Sequence, residues 1–324
     1  MLKIWKVYGD GRHNAFTSLV RWRGCLYLAF RSGTRHVRPG YPDGQIRILC
    51  SKDEGCSWDQ VALLGSSELD MRDPKLLATA DRLFVHSFGY RDPERRDAFV
   101  SYTEDGHSFA PFQRAVAEDN MVIWWPLQHA SEFYAGGYRY HGNKKDIRSV
   151  FYRSDDGLRW RCVSVVHDVP WANESALVME ADGSATMLVR NDGQRLNPPA
   201  SDGHPVIAKA QPPYTHWKTQ RLDRIVQGFA VYRLADGYLV AGRIYENEAT
   251  HTAVFFCDGH RLTRLCTLPS GGDTGYPGIV GEECRVWMSY YSSHDESPTP
   301  EIPHPASIYL AELDIAALRR AARV

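Results

Sequence analysis

The chain has 324 residues, of which 43% are hydrophobic and 24% are charged, and its formal net charge is −1 with histidine neutral. These values are typical of a globular protein with a sizeable core, and they give no electrostatic reason to expect a nucleic acid or an anionic membrane as partner. No apolar run approaches the ~20 residues that a membrane-spanning helix needs.

A short motif recurs along the chain at a constant interval. Its three copies read acid-x-Gly-x-x-aromatic, with the acid at Asp53, Glu104 or Asp155, and their glycines are 51 residues apart. A carboxylate that binds the backbone of its own turn, followed by a glycine at positive φ, predicts a tight β-hairpin. The copies are Ser51–Trp58, Tyr102–Phe109 and Arg153–Trp160, with Gly259 two intervals further on and a degenerate copy at residues 208–217.

Between these turns, the sequence repeatedly shows two apolar strands joined by a turn. The six hairpins are Ala15–Phe30, Asp73–Phe88, Trp124–Tyr138 with its pair Gly136-Gly137, Glu174–Arg190, Gly228–Arg243 and Tyr276–Tyr290. Units of about 50 residues with four short strands are typical of propeller blades. We therefore predict an all-β fold, one six-bladed β-propeller domain over residues 1–324, followed at its end by a short basic helix, Ile315–Ala322.

In a propeller the first strands of the blades surround the axis, so residues at their starts should meet on one face. Six short segments therefore define one predicted site: Arg12-His13-Asn14-Ala15, Arg72-Asp73-Pro74, Trp124-Trp125, Asn173-Glu174, Gln227-Gly228 and Gly275-Tyr276. Trp124 is a candidate platform for a sugar ring, and Arg72 and Asp73 are candidate substrate contacts.

The pair of Glu174 and Tyr276 suggests nucleophilic catalysis. A phenol has a pKa near 10 and needs an adjacent base to react at neutral pH, which Glu174 can provide. Arg190 and Arg243 end the second strands of adjacent hairpins, and paired guanidinium groups bind carboxylates. A general acid is also required, for which Asp43 is the first candidate and Asp73 the second.

The acid-x-Gly-x-x-aromatic repeats resemble the Asp boxes of the sialidase superfamily, whose members are six-bladed propellers. Asn173-Glu174 and Arg190 are similar to the sialidase glutamate and the arginine that follows it, and Arg243 is similar to the next arginine. Gly275-Tyr276-Pro277 stands in the place of the nucleophilic tyrosine. The resemblance also implies that Asp43 is the acid/base residue.

One departure from that family lies in the first blade. Sialidases begin it with Arg-Ile-Pro-x-Leu, whereas this chain has Ala15-Phe-Thr-Ser-Leu19, so the first arginine of the triad is missing. His13 shares a strand face with Ala15, and Arg31 or Arg35 ends the same hairpin, so any of these three residues is a candidate replacement. The loss makes a related nonulosonic or ulosonic acid, or a uronic sugar, a plausible substrate.

We therefore expect an exo-glycosidase that uses Tyr276 as nucleophile, requires no cofactor or metal, and releases a terminal acidic, sialic-acid-like sugar from a glycan or glycoconjugate. Two alternatives remain open at this point. One is a propeller lyase or glycosidase acting on uronic sugars, and the other is a carbohydrate-binding propeller without catalysis.

The cysteines and the N-terminal residues bear on location. Seven cysteines without a Cys-x-x-Cys pair, and a first stretch that lacks an uninterrupted apolar segment, favour reduced thiols and a cytoplasmic protein. The sequence does not specify an oligomeric state.

Overall fold

The computed structural model describes residues 2–37, 40–92, 95–141, 146–282 and 284–323. Its strands form six four-stranded antiparallel sheets. The first strand of each sheet contacts those of the sheets before and after it, and the sixth contacts the first, so the sheets close into a ring. The predicted six-bladed β-propeller is confirmed.

Each of the first three blades follows the chain from its innermost to its outermost strand. Blade one contains β2 (His13–Trp22), β3 (Cys25–Gly33), β4 (Gln45–Ser51) and β5 (Asp59–Leu64); blade two contains β6 (Asp70–Ala78), β7 (Leu83–Asp92), β8 (Arg95–Thr103) and β9 (Gln113–Arg114); blade three contains β10 (Met121–His129), β11 (Glu132–His141), β12 (Asp146–Ser154) and β13 (Trp160–His167).

The last three blades follow the same pattern until the final strand. Blade four contains β14 (Ala172–Met179), β15 (Ala185–Asn191), β16 (Val206–Ala210) and β17 (Lys218–Arg221); blade five contains β18 (Gln227–Leu234), β19 (Gly237–Glu246), β20 (Ala249–Cys257) and β21 (Leu262–Thr267); blade six contains β22 (Thr274–Glu282), β23 (Arg285–Ser292), β24 (Ser307–Asp314) and, outermost, β1 (Leu2–Tyr8). The N-terminal strand thus completes the last blade and joins the two ends of the ring.

Apolar clusters fill the spaces between neighbouring blades. One such cluster packs Leu77 and Phe84 of blade two against Ile123 and Phe133 of blade three, and comparable clusters lie at the other interfaces. The alternation of side chains along each strand supplies both faces of the sheet, as expected for packed sheets. The rigid frame around the axis is built from these interfaces.

The repeated turns join the third and fourth strands of their blades, but the residue that organises them differs from the prediction in two copies. Asp53 accepts hydrogen bonds from Ser57 and Ser51, as its position suggests. In the other two copies, Asp105 and Asp156, which immediately precede the glycine, bind the turn backbone instead of Glu104 and Asp155.

The hairpin of blade three also differs from the prediction. Its turn is at residues 130–131, while Gly136 and Gly137 lie inside β11. A Cβ atom on Gly136 would be 2.7 Å from the Ser175 carbonyl oxygen, and one on Gly137 would be 2.0 Å from that of Val122. These glycines therefore permit close approach of neighbouring strands and do not form a turn.

The predicted C-terminal helix is confirmed as α1 (Ile315–Ala322). The Asp314 carboxylate accepts a hydrogen bond from the Ala317 backbone N–H at 2.9 Å, which caps the first turn of the helix. A short 3₁₀ helix, Gly193–Arg195, lies in the loop after blade four's second strand. Within the part of the chain that the structure describes, no helix has the length and apolar character needed to cross a membrane.

Candidate active site

In every blade, the register between the first and second strands shifts near the start of the first strand. Residues at these shifts form the site. The register shifts occur at residues 15–18, 72–75, 123–125, 172–175, 227–230 and 275–278. A β-bulge of this kind re-aims a side chain relative to the regular pleat. The residues in five of the bulges line a single cavity of about 470 Å³ on the axis: Phe16, Asp73, Trp124, Glu174 and Tyr276.

The sixth bulge carries a glycine that gives space to Tyr276. A Cβ atom on Gly228 would lie 2.7–2.8 Å from three atoms of the Tyr276 ring. Tyr276 itself has φ = 47°, and Asp73 has φ = 49°, a region that non-glycine residues adopt at a cost of about 1–3 kcal/mol. The fold thus accepts backbone strain in order to aim these two side chains into the cavity.

The Tyr276 hydroxyl has two polar partners. It donates a hydrogen bond to Glu174 Oε1 at 2.9 Å and accepts one from Arg190 Nη1 at 2.8 Å. The same Arg190 nitrogen donates to Glu174 Oε2 at 2.7 Å. Burial, followed by the negative charge of Glu174, raises the pKa of Tyr276 well above its ordinary value, against the opposing charges of Arg190 and Arg243. The resting side chain is therefore a neutral phenol with a carboxylate placed to take its proton.

Arg190 is already paired with two carboxylates. Besides Glu174, its other terminal nitrogen lies 2.9 Å from Asp192 Oδ2, and its side chain is 8% exposed. Although burial lowers the pKa of Arg190, the negative charges of Glu174 and Asp192 raise it well above the ordinary value. Arg190 thus holds the geometry of Tyr276 and Glu174, and much of its charge is compensated before any ligand binds.

Arg243 lies behind Tyr276. Its guanidinium carbon is 5.5 Å from the centroid of the Tyr276 ring, and its terminal nitrogen donates to Asp273 Oδ1 and to the Tyr291 hydroxyl, at 2.8 and 2.7 Å. Arg243 is not among the residues that line the cavity. The predicted clamp of Arg190 and Arg243 therefore surrounds the tyrosine, with both members bound to carboxylates of the protein.

Asp73 is the cavity carboxyl with a raised pKa. Burial raises the pKa of Asp73, and the positive charges of Arg72 and Lys75 oppose this effect without cancelling it. The Lys75 ammonium lies 4.5 Å from the ring centroid of Trp124. A buried carboxyl with a raised pKa is suited to donate a proton.

Asp43, the first candidate for the acid, lies outside the cavity lining. Its carboxylate accepts hydrogen bonds from the Thr34 backbone N–H at 2.7 Å, the Thr34 hydroxyl at 3.0 Å and the Arg35 backbone N–H at 3.2 Å. Burial raises its pKa, but these bonds and the charge of Arg31 lower it below the ordinary value. This arrangement stabilises the loop after β3.

The three candidates to replace the missing arginine also lie outside the cavity lining. Arg31 is fully buried and binds both oxygens of Asp70 in blade two, at 2.8 and 2.9 Å. His13 is fully buried, and its Nε2 lies 2.9 Å from Asp273 Oδ2. Arg35 is exposed and supplies its carbonyl oxygen to Arg31. The structure thus brings Tyr276, Glu174, Arg190, Arg72, Asp73 and Trp124 to the cavity and leaves the remaining five predicted residues outside it.

Several cavity residues were not predicted from the sequence. They are His36, Arg96, Asp192 and Arg195, together with aromatic residues that include Tyr90, Tyr138 and Trp171. Asp192 had a detectable signal, because it is an acidic residue two positions after Arg190, directly after the end of β15. Arg96 lies in the third strand of blade two, and His36 lies in the loop after β3. The sequence prediction considered the starts of the first strands, so it did not include these positions.

Among the described residues, one group of potential metal ligands comes together: His13, His36 and Asp273. Both imidazoles hydrogen-bond to the same Asp273 oxygen, at 2.9 Å from His13 and 2.6 Å from His36, and Arg243 and Tyr291 take the other oxygen. Protein groups thus already bind both oxygens of the Asp273 carboxylate.

Comparisons with known proteins show the fold. No protein-family model matches the chain, and no curated protein matches it. A protein of unknown function from Dyadobacter fermentans superposes with a TM-score of 0.73 at 17% identity, over 96% of this chain and 99% of that one. Trypanosoma rangeli sialidase in complex with the inhibitor DANA gives 0.70 at 11% identity, over 96% and 57%, and phage phi92 endosialidase gives 0.75 at 10%, over 97% and 69%. The chain shares the propeller fold of these sialidases.

Proposed function

We propose that this protein is a retaining glycoside hydrolase that removes a terminal acidic sugar from a glycan or glycoconjugate, with Tyr276 as its nucleophile. The observation that carries the proposal is the pair of hydrogen bonds between the Tyr276 hydroxyl and Glu174 and Arg190, inside the cavity at the centre of the propeller ring. A nucleophile, its base and a third group that orients both are the elements of nucleophilic catalysis.

In the first step, Tyr276 Oη attacks the anomeric carbon and its proton passes to Glu174. The new C–O bond replaces the bond to the leaving oxygen, which takes the proton of Asp73. Arg190 keeps Tyr276 and Glu174 in hydrogen-bonding contact and compensates the negative charge that develops on the phenolic oxygen. The product of this step is a sugar bound covalently to Tyr276.

In the second step, a water molecule attacks the same carbon. Asp73, now a carboxylate, takes a proton from that water, and the bond between the sugar and Tyr276 breaks. The phenolic oxygen recovers its proton from Glu174. Two displacements restore the original configuration, and every group returns to its starting state.

The lining of the cavity supports an acidic sugar. Four arginines face three carboxylates, and Asp73 is the carboxyl whose pKa is raised. The many aromatic side chains suit the apolar faces of a sugar ring. A neutral nucleophile also suits an anionic substrate, since a carboxylate nucleophile would repel it. The likeness to a Trypanosoma rangeli sialidase in complex with sialic acid makes a sialic-acid-like sugar one class to test, beside the uronic sugars.

The test is turnover of aryl glycosides of N-acetylneuraminate and of hexuronic acids by the Tyr276→Phe variant. We expect its kcat to fall by about a thousandfold or more, while binding of the sugar persists, because the ring is kept and only the nucleophilic oxygen is lost. Tyr290→Phe is the matched control, since the Tyr290 hydroxyl donates to the Pro269 carbonyl oxygen outside the cavity lining. Undiminished turnover by Tyr276→Phe, or no turnover of any acidic glycoside by the wild type, would contradict the proposal.

A further inference from the structure

Arg96 enters the cavity from the third strand of blade two. Its guanidinium carbon lies 4.5 Å from the ring centroid of Tyr140 and 5.8 Å from that of Tyr90. Both tyrosines are buried and line the same cavity. Stacking on aromatic faces holds a guanidinium plane in place and leaves its N–H edges available to a ligand.

Within the described residues, the Arg96 guanidinium has neither a carboxylate nor a hydrogen-bond partner, and this distinguishes it from the other arginines of the cavity. Arg190 has two carboxylates within 2.9 Å. Arg72 lies 3.4 Å from Asp70 and 3.6 Å from Asp73, and its Nη1 donates to the His36 carbonyl oxygen. Arg195 lies 3.9 Å from Asp192, with about half of its side chain exposed.

An uncompensated guanidinium in a partly enclosed cavity favours an anionic ligand. Its planar N–H groups match the two oxygens of a carboxylate, and such charge-assisted bonds are about twice as strong as neutral ones. Because Arg96 already lies against the rings of Tyr140 and Tyr90, little conformational entropy would be lost on binding. Arg96 should therefore bind a carboxylate more strongly than Arg190, because Arg190 is already paired with the carboxylates of Glu174 and Asp192.

The position of Arg96 bears on where the substrate carries its charge. The charged groups that dominate the surroundings of the Tyr276 hydroxyl are Glu174, Arg190, Arg243 and Asp73, and Arg96 is not in contact with it. A carboxylate on the reacting carbon would lie beside the Glu174 carboxylate, and the arginine that contacts Tyr276 there, Arg190, is already paired with two carboxylates. A carboxylate on another carbon of the ring avoids this repulsion.

We propose that Arg96 binds the carboxylate of the substrate, and that this carboxylate is carried on a carbon other than the anomeric one, as in a hexuronic acid. The assignment of the sugar class rests on the proposed function. The binding role of Arg96 can be tested without turnover, so the two claims can fail separately.

The experiment is isothermal titration calorimetry of the 324-residue chain with D-glucuronate, D-galacturonate and N-acetylneuraminate. D-glucose serves as the neutral reference. We expect at least one hexuronate to bind about tenfold or more tightly than glucose and than N-acetylneuraminate. Arg96→Gln should remove this advantage, and Arg96→Lys should restore part of it, because a lysine keeps the charge and loses the planar fork. Arg95→Gln is the matched control, since Arg95 pairs with Asp97 at 2.9 Å and is 49% exposed.

Three results would overturn the proposal: hexuronate affinity unchanged by Arg96→Gln, tighter binding of N-acetylneuraminate than of both hexuronates, or no binding of any of the three acids. If Arg96→Gln abolishes hexuronate binding while Tyr276→Phe retains full turnover, the carboxylate site stands and the proposed nucleophile fails. Circular dichroism of each variant ensures that a loss of binding is not a loss of folding.

Discussion

At the scale of single residues, the cavity places two carboxyl groups in different environments. Glu174 lies against Arg190 at 2.7 Å and accepts the tyrosine hydrogen bond, which places it to take the proton of Tyr276. Asp73 is buried at the edge of the same cavity, and its pKa is raised. Environments that separate two carboxyl groups in this way are typical of acid and base pairs.

The first prediction concerns Asp73. Because its pKa is raised, it stays protonated to a higher pH than an ordinary carboxyl, and activity should fall as the pH rises through that value. The charges of its neighbours Arg72, Lys75, Glu174 and His36, together with burial, set the pH at which activity falls. Asp73→Asn should lower kcat/KM by about 10²–10⁴-fold for poor leaving groups, have less effect on dinitrophenyl glycosides, and remove the basic limb of the pH profile.

The control for this prediction is Asp43→Asn. Its carboxylate binds Thr34 and Arg35 outside the cavity lining, so its loss should leave the dependence on leaving group unchanged. If Asp43→Asn produced that dependence and Asp73→Asn did not, the acid would be Asp43, as the resemblance to sialidases implies.

At the scale of elements, the site is made by a repeated irregularity. All six first strands bulge near their starts, and the residue in the bulge determines what each blade contributes. The sequence predicted that the starts of these strands would meet. It did not show that Phe16 is the residue that lines the cavity in blade one. Ala15, the residue compared with the sialidase arginine, is fully buried beside Phe16 and does not line the cavity.

The second prediction concerns the bulge of blade five. Gly228 has φ = 49°, and a Cβ there would overlap the Tyr276 ring, whereas Gly183 has φ = 80° with nothing within 4 Å of a Cβ. In urea titrations Gly183→Ala should lose about 1–2 kcal/mol of unfolding free energy, because its backbone lies in the left-handed region. Gly228→Ala should lose about 1–3 kcal/mol more, because its Cβ also overlaps the Tyr276 ring. Gly228→Ala alone should also lower kcat/KM, by about a hundredfold, since a displaced nucleophile misses the near-attack geometry.

Equal activity of the Gly228→Ala and Gly183→Ala proteins would show that the position of the Tyr276 ring is not limiting. A loss of activity by Gly183→Ala would indicate a general effect of destabilisation. The comparison separates backbone strain, which both variants share, from crowding of the tyrosine, which only one has.

At the scale of the whole molecule, the ring is closed by residues far apart in the chain. β1 pairs with β24 from Leu2 opposite Leu313 to Tyr8 opposite Ile308, and Trp5 Nε1 donates to the Gly55 carbonyl oxygen of blade one at 2.8 Å. The N-terminal strand thus binds the last blade through its backbone and the first blade through a side chain. β1 thus covers the outer edge of β24 and links the first and last blades.

The fold was accessible from the sequence because its evidence is local and repeated. A turn around Gly55 recurs at Gly106 and Gly157, and each blade lies within about 50 residues. The cavity was only partly accessible. Tyr276, Glu174 and Arg190 follow from the positions of first and second strands. Arg96 comes from a third strand, where the run Arg95-Arg96-Asp97 is typical of a solvated edge, and no local pattern distinguishes the half-buried Arg96, which lines the cavity, from its exposed neighbour Arg95.

The measurement that tests the central claim most directly is covalent trapping of the nucleophile. An acidic glycosyl fluoride with a second fluorine beside the anomeric carbon slows hydrolysis of the intermediate more than its formation. After incubation with hexuronosyl and nonulosonosyl fluorides of this kind, intact mass spectrometry should show one added sugar residue, and peptide mapping should place it on Tyr276. Tyr276→Phe should stay unlabelled. A label on Glu174 or Asp73, or continued turnover of the reagent without any labelled protein, would contradict the assignment.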